Sequence, residues 1–152
     1  MSKLDELQQI KSMLTKDNFN ISNFENAFFD LFSKYKSDLP LEFIELFTDD
    51  NATHGTQNAM WSLLHTVESL PSDEYTKKVL VGLKLVAKNA PKWAELIAIR
   101  NLNSEEYRNQ LAVSLKTAPQ EDRVIWKSTI QNLISNEPDF ENKAKNFFNF
   151  LN

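Results

Sequence analysis

Few side chains in this sequence are suited to chemistry, and their spacing limits what they could do. The two histidines, His54 and His65, are eleven residues apart. His65 falls on a predicted helix and His54 in a predicted loop, so they lack the one-turn spacing that lets a helix offer two imidazoles to one metal ion. With no cysteine, thiolate metal sites, Cys nucleophiles and disulfides are excluded. No G-x-S-x-G turn frames a serine nucleophile, and two glycines are too few for a phosphate-cradling loop. A helical ribonuclease with an arginine shortly before a histidine is also excluded, because the first arginine is Arg100. The expectation is a protein that is not an enzyme and takes no metal or cofactor.

A second set of residues has a more informative spacing. Trp61, His65 and Glu68 stand at i, i+4 and i+7, forming a stripe beside the apolar series Met60, Leu63, Leu64, Val67. Trp93, Ile97 and Arg100 repeat that geometry, with Asn101 and Asn103 just beyond. If the two faces meet, Glu68 and Arg100 could form a partly buried pair, which would lower the glutamate pKa. Three readings stay open. The residues hold helices together, they form a recognition face, or His65, Glu68 and Arg100 line a catalytic cleft, in which case alanine there would abolish activity and spare stability.

The elements that position these residues are helices. Apolar residues recur at spacings of three and four in Leu4, Leu7, Ile10, Leu14, in Phe24, Phe28, Leu31, Phe32, Tyr35, and again in Trp126, Ile130, Leu133. No strand periodicity is evident. Pro40, Pro71, Pro91, Pro119 and Pro138 all lie between periodic segments, where a fixed φ and a missing N–H suit a first helical turn. Ser22, Thr56, Ser72 and Ser104 are candidate caps. Helices are predicted over 3–15, 22–36, 40–48, 56–69, 72–89, 91–101, 104–117, 119–136 and 138–151. Their short connections imply a single all-α domain over 1–152, an irregular bundle or short stack of about eight to nine antiparallel helices. The longest predicted loop, 48–55, is the best placed for function.

Charge and composition narrow the partners. Net charge is −4, and residues 1–55 carry ten acids against five lysines while residues 56–103 carry four acids against six bases. An acidic chain is repelled by a phosphate backbone, so no nucleic acid partner is expected. The acidic N-terminus lacks the features of a signal peptide, and no apolar run reaches the length of a membrane span, so a soluble cytoplasmic protein with no membrane partner is expected.

The segments Asn58–Ser69 and Ala90–Ser104 resemble a helical immunity-protein family of bacterial polymorphic-toxin and contact-dependent inhibition systems. The shared features are an aromatic helix ending in Glu68-Ser69, and a helix with Pro91 and Trp93-Ala94-Glu95 that runs into Arg100 and Asn103. The likeness covers roughly residues 56–110. It implies a cytosolic protein that binds and neutralises the C-terminal domain of a cognate toxin, often a nuclease. An inhibitor of that kind competes with phosphate for a basic cleft, which Glu42, Glu45, Asp49 and Asp50 could do by mimicry, while aromatic anchors supply contact energy. A helical adaptor or scaffold is the alternative.

Overall fold

The computed structural model describes residues 1–15, 19–49 and 54–151, with backbone alone at Ser37, at 54–55 and at 150–151. These residues form eight α-helices and three short 3₁₀ segments, with no strand among them. Two compact units result, Met1–Tyr75 and Thr76–Asn152.

The first unit is built on α1 (Lys3–Met13), α2 (Ile21–Tyr35) and α3 (His54–Glu68). A reciprocal capping box starts α1: Ser2 Oγ accepts from the Asp5 N–H at 3.2 Å, and the Asp5 carboxylate accepts from the Ser2 N–H at 3.0 Å. Asn20 caps α2 by accepting from the Asn23 N–H at 3.0 Å. Ser22, the expected cap, therefore lies inside that helix, and Thr56 likewise lies inside α3, where it is buried. Phe24, Phe28 and Leu31 form the buried stripe of α2, which packs against both α1 and α3.

The helix expected over 40–48 is instead a 3₁₀ segment, Leu41–Leu46. A three-residue period places Phe43 over Leu46 and Ile44 over Phe47, so two adjacent rows point inward. All four side chains are buried, at 2% exposure or less. Six residues following Pro40 are too short to gain much from α-helical propagation, and burial decides the geometry.

The junction of α1 with the end of α2 is fixed by a polar clamp. The Glu6 carboxylate accepts from the Tyr35 hydroxyl at 2.7 Å and from Lys34 Nζ at 3.0 Å. The ammonium groups of Lys3 and Lys34 lie 4.9 and 5.0 Å from the centre of the Tyr35 ring. The chain then breaks from the helix at Lys36, whose φ of 44° lies outside the right-handed region.

The Tyr35 hydroxyl, and after it Lys34, hold the Glu6 carboxyl below its ordinary value of 4.5. The Ser2 hydroxyl and N–H do the same for Asp5, below 3.8. A carboxyl whose folded pKa is depressed contributes stability above its unfolded pKa and loses it as pH falls through the folded value. The melting temperature is therefore expected to decline as pH drops below about 4.5. Glu6→Gln should flatten that decline in a pH series of thermal melts; an identical acid limb in both proteins would remove the clamp from the account.

The fourth helix, α4 (Ser72–Asn89), begins in the first unit and continues into the second, which also holds α5 (Pro91–Asn103), α6 (Glu105–Lys116), α7 (Gln120–Asn136) and α8 (Glu141–Leu151). Pro91 occupies the first turn of α5, and Ser104 both ends α5 and caps α6 by accepting from the Tyr107 N–H at 3.3 Å. Helix α5 packs against α6, α7 and α8, and α6 packs against α8. Trp126 of α7 is fully buried and its indole N–H donates to the Leu80 carbonyl of α4 at 3.0 Å. Lys84 Nζ lies 3.5 Å from the buried Asp122 carboxylate and 3.6 Å from Glu121. Buried Gly82, with no Cβ, sits between these two points of attachment of α7.

Candidate functional site

The expected stripe on α3 is present. Its inner face buries Ala59, Met60, Leu63, Leu64 and Val67, which leaves Trp61 and His65 exposed and Glu68 half-buried on the flank. Trp61 and His65 are in edge-to-face contact, with ring centroids 6.0 Å apart and planes at 60°. Ser62, beside them, donates to Glu25 of α2 at 3.0 Å, which fastens the helix from the other side.

The three tryptophans have different environments: Trp126 is 0% exposed, Trp93 2% and Trp61 37%. An indole left in water forgoes much of its hydrophobic stabilisation. Trp61 is thus the tryptophan whose surface remains available for contact with another molecule. Phe29 of α2, at 40% exposure, and Leu4 of α1, at 52%, add apolar surface to the same unit.

His54, placed in a loop by sequence, opens α3, so both histidines lie on one helix. Eleven residues at 1.5 Å each separate their backbones by about 16 Å, too far to share an ion. The described residues hold no group of acids and histidines suited to a metal. Among the acidic candidates, Glu42 is exposed, Asp49 is half-buried, and Glu45 lies 3.7 Å from Lys11, so its charge is partly offset. Asp50 and the His54 side chain lie outside the described residues.

The second stripe does not repeat the first. Trp93 and Ile97 are core residues, at 2% and 1% exposure, because α6, α7 and α8 all cover α5. Direct contact between Trp93 and a partner would require α5 to be uncovered. Arg100 is half-buried in this second unit, whereas Glu68 belongs to the first. The Asn103 side chain accepts from Lys143 Nζ at 2.5 Å, joining α5 to α8. Asn101, which the sequence placed beyond the stripe, is buried and donates to the Ile97 carbonyl at 2.8 Å.

Sequence reasoning did not single out Phe29 or Asp30. Phe28 and Phe29 are adjacent and chemically identical, yet one is 1% exposed and the other 40%; the phase of the helix separates them.

The charge imbalance sharpens when read against the two units. Residues 1–75 carry thirteen acids against five lysines, and residues 76–152 eight acids against twelve lysines and arginines. The exposed aromatic edge of Trp61 and His65 therefore belongs to a strongly acidic unit.

Residues 9–111 match the sequence model of Immunity protein 30, more than half of the chain. The chain belongs to that family. The Immunity protein 30 match contains α2 to α5 whole and includes both segments on which the sequence resemblance rests. Helices α7 and α8, which complete the core around α5 and α6, lie beyond the Immunity protein 30 window. Neither a curated protein nor a solved structure matches the chain.

Proposed function

We propose that this chain protects its own cell from a cognate toxin by binding the toxin's C-terminal domain in the cytoplasm, with no catalysis of its own. The observation that carries the reading is membership of the Immunity protein 30 family over residues 9–111. The acidic first unit and the exposed Trp61–His65 edge support it. A toxin that acts on nucleic acid presents a basic cleft, and an acidic inhibitor is drawn to that cleft over long range. Glu42, Glu45, Asp49 and Asp50 contribute to the attraction, and Trp61 with His65 and Glu68 forms the central contact. Of the remaining candidates, His54 opens the same helix, while Arg100 and Asn103 are contacts carried by the second unit, whose core holds Trp93. The toxin belongs to a polymorphic or contact-dependent inhibition system. No helix among the described residues is long and apolar enough to cross a membrane.

Tagged protein retained on resin from a lysate of its own strain should recover the C-terminal domain of a large secreted protein, identified by mass spectrometry. Recovery of abundant cytosolic assemblies alone would favour an adaptor. With the toxin domain in hand, the association rate should fall about tenfold between low and high salt while the dissociation rate changes little, as steering by charge requires. A rate indifferent to salt would remove electrostatics from the mechanism.

A further inference from the structure

The first unit contains a groove that the preceding reading does not use. It opens between α1 and α2 with a volume of about 220 Å³. Ile10, Ala27 and Leu31 form its apolar base, Ile10 and Leu31 being buried. Glu6, Gln9 and Asp30 stand at its rim with Lys34. Lys34 is committed to Glu6 at 3.0 Å, so these two charges offset each other within the groove. Asp30 is different: its carboxylate is exposed and forms no ion pair or side-chain hydrogen bond among the described residues.

The size and lining restrict the occupant. Pockets for small molecules usually enclose about 300–1,000 Å³ and bury most of the ligand, which this open groove does not. An apolar floor with a free carboxylate at its edge suits a flexible aliphatic stem that ends in a cation, because lysine and arginine side chains bury their methylenes and keep the charged head at a polar rim. The surrounding unit, with thirteen acids against five lysines, favours a basic visitor.

We infer that the groove between α1 and α2 receives a lysine or arginine side chain of the bound toxin, with its head against Asp30 and its stem over Ile10, Ala27 and Leu31. This inference rests on the proposed immunity function and adds a second point of contact, on helices other than α3. Two contacts on different helices fix the orientation of the partner as well as its affinity.

The test uses the full chain and the purified toxin domain encoded beside its gene, with binding measured by surface plasmon resonance and folding checked by thermal melts. Asp30→Lys reverses the rim charge at an exposed position and should weaken binding about 100-fold. Ala27→Leu fills the floor without changing charge and should weaken it about tenfold. Asp73→Lys makes the same charge change elsewhere in the acidic unit and should alter the association rate alone, by a few-fold. If Asp30→Lys and Ala27→Leu bind the toxin as the unaltered protein or Asp73→Lys does, the groove is not a contact, although the immunity reading stands. If the unaltered chain does not bind the toxin, both are overturned.

Discussion

Trp126→Ala should lower the midpoint of thermal unfolding by on the order of 10 °C. Large-to-alanine changes of buried aromatic residues cost about 3–5 kcal/mol, against a total stability of about 5–15 kcal/mol for a typical protein. Trp126 is fully buried and also donates to the Leu80 carbonyl, so its removal opens a cavity where α7 meets α4. Trp126→Phe should recover part of the loss, because a ring still fills most of the space while the hydrogen bond is absent. Trp93→Ala should behave like Trp126→Ala, since Trp93 is equally enclosed. Helix α4 runs unbroken through Tyr75 and Thr76, and we propose that residues 1–152 unfold as a single domain. Calorimetry should then show one transition, shifted as a whole by Trp126→Ala; two transitions would make each unit a domain in its own right.

The contrasting expectation concerns Trp61. Trp61→Ala should weaken toxin binding by about 100-fold, roughly 2–3 kcal/mol, the magnitude typical of a tryptophan at the centre of an interface. It should lower the melting temperature by clearly less than Trp126→Ala does, since Trp61 already leaves 37% of its surface in water whereas Trp126 leaves none. The edge-to-face contact with His65 is among the packing lost. A large drop in melting temperature with unaltered binding would instead make Trp61 a structural residue like the other two tryptophans. Measured together, the Trp61 and Trp126 variants separate recognition from folding by moving opposite observables.

The sequence alone was sufficient for the helical architecture because punctuation and periodicity agree along most of the chain. Pro91 at the start of α5 and Ser104 between α5 and α6 mark boundaries that the structure reproduces. The series Trp126, Ile130, Leu133 forms the buried face of α7 as its spacing requires. Elements set by tertiary burial were less legible. The stretch 40–48 reads as a helix from sequence, but Leu41–Leu46 turns with a three-residue period that directs Phe43, Ile44, Leu46 and Phe47 inward. Asn20, in place of Ser22, caps α2, a one-turn choice among several polar residues that local preference does not decide.

The candidate site was legible where one helix determined it and illegible where a second helix mattered. Spacing placed Trp61 and His65 together on a flank of α3, and they lie there in contact. Trp93 has the same spacing relative to Ile97 and Arg100, yet packing of three helices around α5 encloses it. Periodicity reports the direction of a side chain on its own helix and carries no information about what covers it. The groove at Asp30 arises from two helices whose sequences give no separate sign of it.

The most direct test of the account is titration of the unaltered protein, by calorimetry, into the purified toxin domain encoded beside its gene, with growth of cells expressing both as the parallel readout. A tight complex of one chain with one toxin domain is expected, with growth restored by the unaltered protein but much less by Trp61→Ala at equal abundance. Absence of binding, with cells dying despite a folded and abundant unaltered protein, would contradict the proposed immunity function.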